Sequence, residues 1–134
     1  MARYGRRSKA NLATCDERIR EIMYEVVKSY DCSVFEGSRS REFQDKYFHA
    51  GLSKKLWPGS LHNITEERPY SLAFHALPYP INWKDLDGMR HFAGYVQGVA
   101  FSMGHKIRWG GDWDSDRDLH DQTFYDLAHF ELII

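Results

Sequence analysis

An α+β fold, with a small antiparallel sheet packed against about three helices, is what this sequence predicts, and three observations predict it. Two long stretches carry apolar residues at helical spacing. Several short β-prone runs stand between and after them, bounded by Gly and Pro. Helices and strands mix without the regular strand–helix–strand order that a parallel sheet requires. The 134 residues make a single domain, because a second would leave neither half enough chain to bury a core.

In chain order, residues 1–13 are polar and basic and read as an extended arm packed on the domain. Thr14 opens the first helix with a capping-box pattern to Glu17, and Ile19, Ile22, Met23, Val26 and Val27 mark its apolar face, to an end near Tyr30. Cys32 to Glu36 is short, β-prone and bounded by Gly37, so it reads as a strand. Ser40 is the next N-cap, for a helix burying Phe43, Tyr47 and Phe48 and stopped by Gly51. Leu52 to Glu67 is loop-like, and Tyr70 to Leu77 is a second strand closed by Pro78-Tyr79-Pro80. The strongest helix runs from about Asp85 to Met103, with Met89, Phe92, Ala93, Val96, Val99, Ala100 and Met103 on one face and Gly104 as its stop. Lys106 to Trp109 is a third strand, an acidic loop spans Asp112 to Asp121, and Phe130 to Ile134 is the last strand.

Composition narrows the partners. Lys plus Arg (18) nearly balances Asp plus Glu (19), a net charge of −1 that gives no support to a nucleic-acid or anionic-membrane partner. Hydrophobic residues at 43% and aromatics at 15% suffice for a dense core. No apolar run approaches the roughly 20 residues of a membrane span, and no apolar segment follows the basic N-terminus as a secretory signal would require. Synthesis and residence in the cytosol are therefore expected. Cys15 and Cys32 read as free thiols behaving as small hydrophobes.

The seven histidines are more informative. His49, His91, His105 and His120 lie at helix positions, helix ends or in the charged loop, where exposure or a structural hydrogen bond accounts for them. His62 follows a Pro-Gly loop in SLHN, His75 sits in the strand before Pro78-Tyr79-Pro80, and His129 stands in YDLAHFEL with Asp126 and Glu131 beside it. A catalytic zinc needs three protein ligands, an open position for water and a separate acid/base. A turn between Asp126 and His129 would put both side chains on one site, whereas a straight strand would face them oppositely. Spacing alone leaves a metal site and three unrelated histidines both open.

Taken in order, the segments EGSRS, REFQDKYFHAGLSKK, SLHN, RPYSLAFHALPYPINW, KIRWGGDWD and DLHDQTFYDLAHFELI resemble the phage-type zinc L-alanyl-D-glutamate endopeptidases, within the wider D-alanyl-D-alanine carboxypeptidase and dipeptidase family. The resemblance runs from about Asn11 to Ile134. It implies a zinc site at the sheet, with His62 as first ligand in S-x-H and His129 as last ligand in D-x-x-H-F-E. It implies Asp126 as catalytic base and Arg39, in EGSRS, as the group that polarises the scissile carbonyl. The middle ligand of the family is usually Asp, in S-x-A-V-D-x-x-P-Y-P; here the segment is SLAFHALPYP, so His75 stands where the Asp belongs. His75 is then either a third imidazole ligand or a displaced group with weakened metal binding.

The implied function is a phage endolysin, acting as a monomer: a zinc peptidase cleaving peptidoglycan stem peptides, most simply between L-alanine and D-glutamate. It would stay in the host cytoplasm until the membrane is opened. A D-alanyl-D-alanine carboxypeptidase or dipeptidase of the same fold is the nearest alternative, and a non-catalytic wall-binding or virion domain the next. Asp112 reads equally as a partner behind the ligands or as a turn residue. Trp109 and Trp113 are candidate walls of a substrate groove. Glu131 either braces His129 or faces solvent.

Overall fold

A computed structural model describes residues 2–134. Its elements are α1 (Arg6–Ala13), α2 (Glu17–Val27), β1 (Cys32–Glu36), α3 (Arg41–His49), β2 (Ala73–Pro78), α4 (Leu86–Ser102), β3 (Lys106–Gly110) and β4 (Asp126–Ile133). The strands form one antiparallel sheet in the order β1-β2-β4-β3. This is the α+β architecture expected, with one helix more than the sequence suggested.

The extra helix is α1, which corrects the extended arm. Its last turn explains the misplaced start of α2 as well. Thr14 does not cap α2; it closes α1, with its hydroxyl donating to Asn11 O at 2.6 Å. Asp16 caps α2 instead, accepting from Arg18 N at 2.9 Å. A Thr and an Asp two residues apart both suit a cap, and only the tertiary position of α1 decides between them.

One face of the sheet is the core. Phe74 on β2 and Phe130 on β4 are direct cross-strand partners and stack at 5.2 Å, while Phe92 of α4 meets Phe130 edge-on at 6.0 Å. Helix α2 contributes the five apolar residues read from its periodicity, and α4 contributes Phe92, Ala93, Val96 and Ala100, while Met89 packs with Leu77 and Ala128 in a smaller cluster. Burying such rings and branched chains supplies about 1.5–3 kcal/mol each.

Helix α3 departs from expectation. Phe43 is 52% exposed and Phe48 37%, and the side chain it buries is Gln44. The reason is that α3 packs over polar loops and not on the core. Gln44 receives Arg39 Nη1–H and donates to Lys55 O and Ser53 Oγ, so a polar hub takes the place of an apolar face.

The opposite face of the sheet carries the functional candidates. Side chains alternate along a strand, so the residues next to Phe74 and Phe130, namely His75 and His129, turn away from the core. Strand β4 begins four residues earlier than predicted. It pairs Trp109 with Phe130 and then Gly110 with Asp126, a broad irregularity that brings the start of the strand back over the sheet. No described helix is long and apolar enough to cross a membrane.

Candidate metal centre

Three imidazoles from separate parts of the chain meet on the outer face of the sheet. His75 and His129 face each other across β2 and β4. His62 comes from the loop after α3, which is fixed by Arg39 N donating to His62 O at 2.8 Å and by Arg68 donating to Ser60 O and Asn63 O. His129 Nδ1 lies 3.3 Å from His62 Nε2 and 3.2 Å from His75 Nε2.

The remaining ring nitrogens are all committed to acceptors. His62 Nδ1 donates to Gly37 O at 2.8 Å, and His129 Nε2 to Glu131 Oε1 at 2.9 Å. His75 Nδ1 faces Glu36 Oε1 at 3.2 Å. With Nδ1 of His62, Nδ1 of His75 and Nε2 of His129 protonated, the three inward nitrogens could each offer a lone pair, so the cluster could hold a metal ion; otherwise His75 Nε2 carries a proton toward Asp126. A tetrahedral zinc with Zn–N bonds of about 2.0–2.1 Å spaces its ligands by about 3.3 Å, and the two separations from His129 Nδ1 match. The donor set fits zinc, and outer acceptors that orient the imidazoles are what such sites require.

Charge follows the geometry. Burial, then the neighbouring His75, His129 and Arg39, hold the His62 pKa well below its ordinary value, so its ring is neutral. Burial opposes the His75 imidazolium, but hydrogen bonding to Asp126 and Glu36 outweighs it and the pKa is raised. Burial would likewise raise Glu36 and Glu131. In each case hydrogen bonds prevail, from His75 and Arg39 to Glu36 and from His129 and Arg108 to Glu131, and each carboxyl is held at about 2.

Asp126 reaches the same site. Its Oδ2 lies 3.5 Å from His75 Nε2. Burial is again overcome, here by His75, His129 and His62, and the carboxyl stays ionised. Asp126 is not in regular pairing with the stretch to His129, so the irregularity performs the turning that a straight strand forbids.

Arg39 borders the cluster with its guanidinium 4.8 Å above the Tyr47 ring, ion-paired to Glu36. Its Nε is buried with no acceptor among the described residues. A cleft of about 460 Å³ opens over these groups, lined also by Lys54, Trp113 and Phe124. The Trp113 ring lies 5.3 Å from that of His129. Trp109, by contrast, is buried in the core with its indole N–H on Leu127 O, so it does not wall the cleft.

Asp112 is a turn residue: it accepts from Arg117 N at 2.9 Å and is not among the residues lining the histidine cleft. It shares its loop with Asp114 and Asp116, whose carboxylates lie within 4.8 Å of one another and of its own. Of the two readings of Glu131, the structure shows the bracing one: it is 8% exposed and bonds His129, where solvent exposure is the readier expectation from the sequence. Glu36 was not singled out from the sequence. Its place at the head of EGSRS, one residue before a glycine, was its only signal.

The fold and the imidazole cluster together define an α+β protein with a three-histidine group at one sheet face that could hold a metal. The chain belongs to the phage L-alanyl-D-glutamate peptidase family, which it matches over residues 1–133. It is 25% identical over 139 residues to the L-alanyl-D-glutamate peptidase of Escherichia phage T5, with 98% of each chain covered. The crystal structure of the L-Ala D-Glu endopeptidase ChiX of Serratia marcescens superposes with a TM-score of 0.74 at 23% identity, over 98% of this chain and 90% of that one. That likeness shows the shared fold.

Proposed function

We propose that this chain is a zinc-dependent peptidase that cleaves the L-alanyl–D-glutamate bond of bacterial peptidoglycan stem peptides and serves a phage in host lysis. The observation that carries this reading is the convergence of three imidazoles, with His129 Nδ1 3.3 Å from His62 Nε2 and 3.2 Å from His75 Nε2, each ring anchored from behind, and the ionised Asp126 alongside. Family membership supplies the bond; the geometry supplies the chemistry.

His62 Nε2, His75 Nε2 and His129 Nδ1 would hold the metal. Zinc bound there supplies a Lewis acid for the scissile carbonyl and acidifies a water. Asp126 takes the proton from the attacking water at Oδ2 and later delivers it to the leaving D-glutamate nitrogen, so one carboxylate serves as base and then acid. The Arg39 guanidinium, in the wall of the cleft, adds positive charge that favours the negative charge developing on the carbonyl oxygen in the transition state. Trp113 and Phe124 form an apolar wall that limits water around the peptide, and Lys54 at the same rim offers a counter-charge for a stem-peptide carboxylate.

The test is mass spectrometry of purified peptidoglycan digested with and without a chelator. New alanine C-termini and glutamate N-termini that vanish on chelation and return with zinc are expected. Wall binding that persists in chelator while no new amine termini form would refute the enzyme reading in favour of a binding domain. Release of terminal D-alanine would indicate a carboxypeptidase.

A further inference from the structure

Glu36 has no part in the mechanism above, yet its contacts converge on the histidine cluster. Its Oε1 lies 3.2 Å from His75 Nδ1 and 3.8 Å from His62 Nδ1, and it is ion-paired with Arg39. A bulge puts it there. Cys32, Ser33 and Val34 pair regularly with Pro78, Leu77 and Ala76, but the next pair is Glu36 with His75, leaving Phe35 as the extra residue. A regular ladder would have set Phe35 opposite His75 and Glu36 opposite Phe74. Opposed residues share a face, so Glu36 would then have pointed into the core beside a fully buried Phe74. The bulge re-aims one side chain and one charge.

We propose that Glu36 is the positioning residue that makes His75 workable as a third nitrogen ligand. This rests on the reading of His75 as a ligand given above. Glu36 accepts the Nδ1–H of His75, fixes the tautomer with the Nε2 lone pair inward, and sets the ring plane. It also places, directly behind the imidazole, the negative charge that an aspartate at position 75 would have brought into contact with the metal. A carboxylate sharing the imidazole proton makes the ring a stronger donor. With an aspartate at 75 the same Glu36 would face a like charge across the pair and work against the site. Glu36 and His75 are therefore matched, and the effect of removing the Glu36 charge must depend on what stands at 75.

The experiment measures zinc affinity by competition with a chelating indicator for the wild type, Glu36→Gln, His75→Asp, the double variant and His75→Ala. Glu36→Gln keeps the shape and the acceptor oxygen. It should weaken zinc binding about 10- to 100-fold in the His75 protein. In the His75→Asp background it should leave affinity unchanged or tighten it. Melting curves of the zinc-free proteins check that each variant is folded.

Long-range ¹H–¹⁵N correlation of the zinc-loaded wild type should show His75 protonated at Nδ1 and metal-bound at Nε2, and Glu36→Gln should move that Nδ1 proton while sparing those of His62 and His129. Unchanged zinc affinity in Glu36→Gln, with affinity lost in His75→Ala, overturns the role of Glu36 and leaves the three-imidazole site standing. An equal loss in both backgrounds also overturns it, because Glu36 would then act through Arg39 or His62. Metal bound at His75 Nδ1 overturns it without any variant. Wild-type affinity in His75→Ala removes His75 from the ligands and takes both readings down together.

Discussion

Gly37 ties the helix that sequence reading missed to the metal centre, and replacing it by alanine should disturb both. A Cβ there would overlap the Asn11 carbonyl oxygen and Thr14 Oγ1 and press on Cys15 Sγ at 3.1 Å. None of these atoms is free to give. Asn11 O already accepts from Thr14 N at 3.1 Å and from Thr14 Oγ1 at 2.6 Å, and Thr14 Oγ1 in turn accepts from Ser38 N at 2.8 Å. The end of α1 and the exit of β1 must move apart. Overpacking of this kind costs about 1–3 kcal/mol, and losing the Ser38–Thr14 bond adds about 1 kcal/mol. The total, about 2–4 kcal/mol, corresponds to a fall in Tm of about 7–14 °C for a domain of this size. Because Gly37 O is the acceptor that orients His62, the same shift should weaken zinc binding about 10-fold or more. Calorimetry of the zinc-free protein and chelator competition on the folded fraction measure the two effects separately. A variant that melts within about 2 °C of the wild type and binds zinc equally would refute the account of how α1 supports the site.

Other consequences are open to simpler measurements. Asp126→Asn should lower kcat on defined muropeptides by about 10²–10⁴-fold while zinc content stays near stoichiometric, and retained turnover would remove Asp126 from the mechanism. Phe74→Ala should cost about 3–5 kcal/mol in denaturant unfolding, since the ring is fully buried and stacked on Phe130; a cost under about 1 kcal/mol would mean that the core closes over the gap. Asp16→Ala should cost about 1 kcal/mol at neutral pH through loss of the α2 cap. The hydrogen bond from Arg18 holds the Asp16 carboxyl below its ordinary value, so this stabilisation is complete above about pH 5 and is lost as the pH falls through the depressed folded value. A difference between wild type and variant that grows on acidification would contradict that sign.

The parts of the molecule legible in the sequence are those where a period or a local signature reports burial. The apolar faces of α2 and α4 follow from spacing because those helices pack on the sheet. His62, His129 and Asp126 were reached through a family resemblance, since histidines 67 residues apart carry no periodic signal of their own. Position 75 is open between two readings in the sequence, and only the cross-strand pairing with His129 shows its nitrogen beside the others. Helix α1 was hidden by its polarity: only Ser8 and Leu12 are buried, so no apolar stripe marks it. The face of α3 misled for the opposite reason, its aromatics facing outward while a glutamine serves as the hub. Glu36 depends on a bulge, and an extra residue in a ladder leaves no trace in hydrophobic alternation.

The irregularity in β4 has a bearing on how such enzymes diversify. Between Gly110 and Asp126 the chain leaves the sheet and returns, and the paired ends of that excursion clamp its two feet together. Whatever is spliced into the excursion, the distance from Asp126 to the histidine pair is set below it by the ladder. Trp113 and Phe124, which line the cleft, ride on the excursion itself. On the proposed function, taste for one stem peptide or another can drift by lengthening or exchanging that stretch, while Asp126 and the histidines stay where they are.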